Sequence, residues 1–273
     1  MLDPSNRSDR LVVHNKLAVL PMPNIEEILK DRSACLKGSG GDPDAALRRR
    51  MLTMEIEHNY PAFETLRDTL LDASPANANT RPGFLRARET TDEDVARLFD
   101  EMLHTGVVCP DADRFVLPDV DAKRFVTGGW LEELAWLAAM EAGADEAYYS
   151  QMVAWEVNGY AGENEIDLIF RRNDRLGFLS CKALRSTLSA ADRKHRIRMM
   201  DAVHEADNLC DHFGRPGERV GVLVTTDLFD DRNGQPRYEA LMGKAAVLDV
   251  RLIPLEDLEW PRLVGILRHL MEA

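Results

Sequence analysis

Two short apolar runs joined by a polar turn constrain the fold of this chain more than any other feature. The first run, residues 165–170, is interrupted by one acid, Asp167, and the second, residues 176–179, is followed closely by Lys182. An Asn-Asp pair at 173–174 marks a turn between them. This pattern predicts a β-hairpin that brings Asp167 near Lys182. Buried charges are costly unless they are paired or bind a metal, so the two side chains indicate a site.

An acid and a lysine at the ends of paired strands suit the chemistry of phosphate esters. The carboxylate of Asp167 can hold a hard divalent cation such as Mg²⁺ or Mn²⁺. Such a cation polarises a phosphate oxygen and lowers the pKa of a bound water. Lys182 can orient that water or neutralise the charge that develops on the phosphoryl group. The pair therefore indicates metal-dependent cleavage of phosphodiester bonds.

Three segments, two of which contain Asp167 and Lys182, carry a resemblance to a known family. They are GGWLEEL at 128–134, NEID at 164–167 and CK at 181–182. In this order and at this spacing, the chain resembles the nuclease domain of the CRISPR-associated Card/Can-type effectors. Those proteins join a CARF sensor of cyclic oligoadenylate to a PD-(D/E)XK nuclease. Over residues 86–273, the resemblance implies an α/β protein with a restriction-endonuclease-like PD-(D/E)XK core, and DNA or RNA as substrate.

The resemblance also implies a role for each candidate residue. Asp167 would bind the metal, Lys182 would activate water, and Glu132 is the first candidate for the metal-supporting glutamate of a helix. Glu133 is the second candidate, although acids in a first helical turn also favour the helix electrostatically. The family normally has an acid two positions before the lysine, where this chain has Ser180.

Serine at this position leaves two functions open. A hydroxyl binds a divalent cation much more weakly than a carboxylate, so the metal would depend on Asp167, a helix glutamate and Glu165. If these suffice, the protein is a nuclease, with CRISPR antiviral defence as its setting. If they do not, it is a nuclease-like binding or scaffold module. A nucleotide sensor is disfavoured, because KGSGGD at 37–42 lacks the lysine and serine spacing of a P-loop.

Charge is distributed unevenly along the chain. The formal net charge is −13, yet residues 171–198 contain nine Lys or Arg and two acids. Such runs are commonly solvated helix faces, but a basic patch beside a candidate site is also typical of phosphate contact. We expect nucleic acid to contact five side chains: Arg185, Arg193, Lys194, Arg196 and Arg198.

The remaining features bear on compartment and organisation. The four cysteines form no CxxC pair, which disfavours a zinc ribbon or a disulfide framework. The sequence shows no signal peptide and no apolar run of membrane-spanning length, so we expect a cytoplasmic protein that binds no membrane. A homodimer and a separate sensor chain both remain open as partners.

The periodicity divides the chain into three regions. Residues 1–85 are predicted to be mostly helical, and are too short for a whole CARF domain; they are either its remnant or an unrelated extension. Residues 86–127 predict a winged-helix-like spacer made of one helix and a hairpin. Residues 128–273 form the nuclease-like region, where the order from Trp130 is predicted to be α-β-β-β-α-β-α-β-α.

Overall fold

The computed structural model describes residues 22–72, 92–111, 114–189, 192–230 and 232–272. Within these ranges the α-helices are α1 (Ile25–Lys30), α2 (Pro43–Arg48), α3 (Arg50–His58), α4 (Tyr60–Asp72), α5 (Glu93–His104), α6 (Val120–Arg124), α7 (Trp130–Ala142), α8 (Arg193–Phe213), α9 (Glu239–Val247) and α10 (Trp260–Glu272). The strands are β1 (Ala34–Lys37), β2 (Cys109–Asp111), β3 (Arg114–Val116), β4 (Glu146–Val157), β5 (Tyr160–Arg172), β6 (Arg175–Lys182), β7 (Arg219–Val224) and β8 (Val250–Ile253).

One mixed sheet forms the centre of the fold. Its strand order is β1-β4-β5-β6-β7-β8. The pairs β1–β4, β4–β5 and β5–β6 are antiparallel, whereas the pairs β6–β7 and β7–β8 are parallel. Parallel neighbours need long crossover connections, which α8 and α9 provide. From α7 onward the elements follow the predicted order, so the predicted α/β class is confirmed.

Helices cover both faces of the sheet. On one face, α7 and α10 pack with α3, α4 and α5 around buried aromatic side chains that include Phe63, Phe99 and Trp130. On the other face, α1, α8 and α9 enclose a second core that contains Phe178 and Phe213. Most residues of α7 are buried, as expected for a helix at the centre of a domain.

The N-terminal region contributes to the same sheet. β1, which the sequence pattern did not predict, pairs antiparallel with β4 at the edge of the sheet. It has only four residues and follows a turn in which Ser33 has a φ of 60°, so its sequence carries little strand signal. Asp42 caps α2 and Pro43 is its first residue, which are the positions that these residue types favour at a helix start. Residues 11–20, whose mainly apolar sequence predicts one or two short strands, lie outside the described residues.

Between residues 92 and 124 the described chain contains α5, the β2–β3 hairpin and α6. α5 buries one apolar face, made of Val95, Leu98, Phe99 and Met102, and the β2–β3 hairpin follows it. A π-helical turn, Phe125–Gly129, joins α6 to α7 and is kinked at Gly128. The boundary predicted near residue 85 lies outside the described residues. Within the described ranges, no helix is both long and apolar enough to cross a membrane.

Candidate active site

Asp167 lies where β5 and β6 stop pairing. The ladder between these strands ends at Leu168 and Leu179, and extending its register places Ser180 opposite Asp167. The freed strand edge supplies hydrogen bonds to the acid instead. The Oδ2 atom of Asp167 accepts hydrogen bonds from the backbone N–H of Cys181 at 2.6 Å and from the Ser180 hydroxyl at 3.3 Å. The carboxylate is therefore held firmly at the end of the hairpin.

Glu132 reaches the same site from the first turn of α7. Its carboxylate accepts a hydrogen bond from the Ser150 hydroxyl, and its Oε2 lies 3.6 Å from Arg124 Nη2. Ser150 has a φ of 50°, in the left-handed region that non-glycine residues seldom adopt. Such backbone conformations concentrate at functional sites.

The register of the β4–β5 ladder relates Glu132 to Asp167. Two pairs, Tyr149 with Leu168 and Gln151 with Ile166, flank Ser150 and Asp167, which take opposing positions in the register without being paired themselves. Ser150 thus binds Glu132 from the strand position opposite Asp167.

Both acids have a raised pKa, and the charge of Asp167 contributes to the shift of Glu132. Burial, and then the charge of Asp167, raise the pKa of Glu132 to about 7, against the hydrogen bond from Ser150. Burial also raises the pKa of Asp167, although Lys182 and the Cys181 amide oppose that shift. Two buried carboxylates that repel each other favour a bound cation or a shared proton.

Lys182 ends β6 with its ammonium between two acids. Its Nζ lies 3.8 Å from Asp167 Oδ2 and 3.0 Å from Glu205 Oε2. Burial alone would lower the pKa of Lys182, but Asp167 and Glu205 outweigh it and keep the pKa above its ordinary value. Lys182 is therefore a cation, suited to stabilising charge and orienting water rather than to accepting a proton.

The two other predicted acids are placed differently. Glu165 lies on the same face of β5 as Asp167, is exposed, and forms an ion pair with Arg124. Glu133 is buried and bound by Arg49, whose Nε lies 3.2 Å from Glu133 Oε2. Adjacent residues of a helix point in different directions, so α7 directs Glu132 into the site and Glu133 away from it.

The donor atoms at this position fit a hard divalent cation. They are the carboxylate oxygens of Glu132 and Asp167 and the hydroxyls of Ser150 and Ser180. Among the described residues, no group of three or more His, Cys, Asp or Glu is arranged to hold a metal ion. Mg²⁺ is commonly bound through one or two carboxylates and keeps several waters, so two acids are sufficient.

A basic cavity of about 410 Å³ begins directly after Lys182. Ala183 and Leu184 form one wall, and the start of α8 and the end of α4 form the others. We call this cavity the basic groove; its charged and polar lining residues are Arg67, Asp68, Thr127, Arg185, Asp192, Lys194, His195 and Arg198.

The predicted basic residues divide into two sets. Arg185, Lys194 and Arg198 line the basic groove. Arg193 is exposed outside its lining, and Arg196 lies over the ring of Tyr238, 5.9 Å from the ring centroid. The structure therefore brings only the first set beside Lys182.

The sequence pattern missed four residues of this region: Arg67, Arg124, Ser150 and Glu205. Arg67 comes from α4, far away in the chain, and no local motif marks it. Ser150 and Arg124 carried no signal either, since each contacts the site only through tertiary structure. Glu205 shares a helix face with Lys194 and Arg198, which is the one pattern that could have marked it.

Known proteins resemble the chain at two levels. Residues 119–226 match the family model described as Card1-like, endonuclease domain. The fold is similar to that of protein VC1899 from Vibrio cholerae, with a TM-score of 0.62 and 15% identity, over 90% of this chain and 61% of that one. It is also similar to Can2 from Sulfobacillus thermosulfidooxidans in complex with cyclic tetra-adenylate, with a TM-score of 0.57 and 14% identity, over 91% and 60%.

These matches differ in what they show. At such low identity the two structures establish the fold, and the chain spans about 60% of their length. No curated protein matches the sequence. The family model covers Glu132, Asp167, Lys182 and Glu205, and it confirms the resemblance stated from the three sequence segments. Residues 119–226, which contain the candidate site, are therefore similar to the Card1-like endonuclease domain.

Proposed function

We propose that this protein is a metal-dependent endonuclease that cleaves phosphodiester bonds in DNA or RNA as part of a CRISPR-associated antiviral response. One observation carries the proposal: Asp167 lies near both Glu132 and the Lys182 ammonium, and the lining of the basic groove begins at the next residue, Ala183. Oxygen donors, a fixed cation and a phosphate-binding path are the parts that phosphodiester hydrolysis needs.

Each residue has a separate task in the proposed reaction. Asp167 and Glu132 would hold Mg²⁺ or Mn²⁺, which when bound polarises the phosphate and acidifies a water. The Ser150 hydroxyl and the Cys181 amide keep the two carboxylates in place. Lys182 donates to the phosphate oxygen on which negative charge develops, and it remains protonated throughout.

The basic groove is the proposed path of the nucleic acid. Arg185, Lys194 and Arg198 would contact phosphates on one side of the scissile bond, and Arg67 would contact them from the facing helix. In the free protein, Arg185 lies 3.4 Å from Asp68, so a substrate phosphate must displace that acid.

The proposed partners follow from the same comparison. Can2 is in complex with cyclic tetra-adenylate, and we propose that a cyclic oligoadenylate also controls this nuclease in the cytoplasm. The sensor of that nucleotide would be a separate chain, or two copies of this protein would form the sensor as a homodimer. Cleavage assays should therefore be run with and without that nucleotide.

Ser180 favours a second candidate, a nuclease-like scaffold without catalysis. Incubation with supercoiled plasmid and with single-stranded RNA, in Mg²⁺, in Mn²⁺ and in EDTA, separates the two functions. The nuclease proposal expects cleavage in a divalent metal that is lost in EDTA. Binding of nucleic acid without cleavage under every condition would favour the scaffold.

A further inference from the structure

We infer that Glu205 replaces the acid that Ser180 lacks, and that it acts as the residue that positions the Lys182 ammonium for cleavage. The inference rests on the proposed nuclease function and adds to it a residue outside the hairpin that carries Asp167 and Lys182. Three observations on α8 and β6 support it.

The first observation is the direction of the Ser180 side chain. Ser180 is 4% exposed, and its hydroxyl donates to Asp167. It therefore stabilises the charge of Asp167 and adds no charge of its own. The negative charge that an acid at this position would bring to the site must come from another residue.

The second observation is the contact between Glu205 and Lys182. The Glu205 Oε2 to Lys182 Nζ distance of 3.0 Å is shorter than the 3.8 Å from the same nitrogen to Asp167. An ammonium has three donors. One is directed at Glu205, and Asp167 lies at 3.8 Å, beyond hydrogen-bond distance, so a donor is available for a phosphate oxygen.

The third observation is the placement of Glu205 on α8. Arg198 comes four residues after Lys194, and Glu205 comes seven residues after Arg198. These spacings place all three on one helix face. The first two line the basic groove, and the third reaches Lys182. One face of α8 thus serves both the substrate path and the catalytic lysine.

A purely stabilising ion pair does not account for this contact. The side chain of Glu205 is 58% exposed, and exposed pairs contribute about 0–1 kcal/mol to folding. Glu205 instead supplies the negative charge that Ser180 does not bring, and it directs Lys182.

The test compares Glu205→Gln and Glu205→Asp with Asp211→Asn, which removes an equal charge from an exposed site on the same helix. Single-turnover cleavage in Mn²⁺ should fall about tenfold or more in Glu205→Gln, with recovery in Glu205→Asp. Oligonucleotide binding in EDTA should not weaken, so the loss lies in kcat and not in KM. Asp211→Asn should cleave like the parent protein.

A rescue experiment shows whether Glu205→Gln loses cleavage because the missing acid is no longer replaced, or because the variant is damaged in general. Ser180→Glu, introduced into Glu205→Gln, should restore cleavage to within about threefold of the parent, because the two positions serve one purpose. Unchanged or faster cleavage by Glu205→Gln would overturn the inference, and so would failure of Ser180→Glu to rescue it.

A readout independent of cleavage keeps the two proposals separable. Acetylation of Lys182 by acetic anhydride, followed by mass spectrometry, should be faster in Glu205→Gln and unchanged in Asp211→Asn. Equal rates would show that Glu205 does not hold Lys182. A parent protein that cleaves nothing contradicts the nuclease function, and the labelling rates still decide the role of Glu205.

Discussion

The backbone amide of Cys181 donates a hydrogen bond of 2.6 Å to the carboxylate of Asp167. This bond forms where the β5–β6 ladder has ended and β6 continues beside β7 alone. The strand edge that becomes free is thus used to hold an acid, and the next residue, Lys182, reaches the same acid with its side chain. The proximity of Asp167 and Lys182 is a consequence of where two strands separate.

Asp167→Asn should remove metal-dependent stabilisation. An amide oxygen can still accept the Cys181 N–H, so the fold should persist while the charge that binds the metal is lost. For the parent, a cation at a hundred times its dissociation constant adds about 2.7 kcal/mol to the free energy of unfolding. Thermal melting with and without Mn²⁺ measures this shift.

Asp174→Asn, in the turn between β5 and β6, provides the matched control, and its metal-induced shift should equal that of the parent. A shift of unchanged size in Asp167→Asn would show that the metal binds elsewhere or not at all.

Ser180→Glu should destabilise the metal-free protein and increase its response to metal. The new carboxylate would lie buried beside Asp167, where like charges repel unless a cation is present. We expect a lower melting temperature in EDTA, a larger rise on adding Mg²⁺, and faster cleavage at limiting Mg²⁺. Ser180→Gln has similar size without the charge and should show none of these gains; equal behaviour of both variants would refute a metal at this position.

The basic groove predicts different effects for two equal pairs of charges on one helix. Lys194→Gln with Arg198→Gln should weaken nucleic-acid binding and flatten its logarithmic salt dependence by about 0.7–0.9 per lost phosphate contact. Arg193→Gln with Arg196→Gln should change the slope little, because these side chains lie outside the groove lining. Equal slopes for the two double variants would mean that α8 attracts nucleic acid only through its total charge.

Glu57 predicts a pH dependence of stability away from the site. Burial, and then the charge of Glu259, raise the pKa of Glu57 to about 7. For an acid whose pKa is raised by folding, the native state binds the proton more tightly, so stability falls as pH rises from about 4.5 through 7. Glu57→Gln should therefore melt about 1–3 °C above the parent at pH 8 and equal it at pH 4, after allowance for solvent screening. A gain of the same size at both pH values would assign the effect to packing.

The residues of the candidate site whose proximity could be predicted lie close together in the chain or begin an element. Asp167 and Lys182 share one hairpin, so strand periodicity alone brings them together. Glu132 lies in the first turn of a helix whose start was marked by two glycines. The choice between Glu132 and Glu133 could not be made from the pattern, because it depends on Arg49, which lies in the turn between α2 and α3 and binds Glu133.

The parts that the sequence did not predict depend on tertiary structure. Glu205 reaches Lys182 only because α8 crosses the sheet between the parallel strands β6 and β7. Arg67 joins the groove only because α4 packs near the end of β6. β1 is four residues long and is recognisable as a strand only through its pairing with β4.

Single-turnover cleavage of DNA and RNA oligonucleotides in Mn²⁺ by the parent and by Lys182→Ala tests the central claim most directly. We expect the parent to cleave at least one of the two, and Lys182→Ala to be slower by about a hundredfold or more. The variant should keep its melting temperature and its oligonucleotide binding in EDTA. Cleavage by Lys182→Ala within about twofold of the parent rate would contradict the account, as would a parent inactive on both substrates in Mg²⁺ and Mn²⁺, with and without cyclic oligoadenylate.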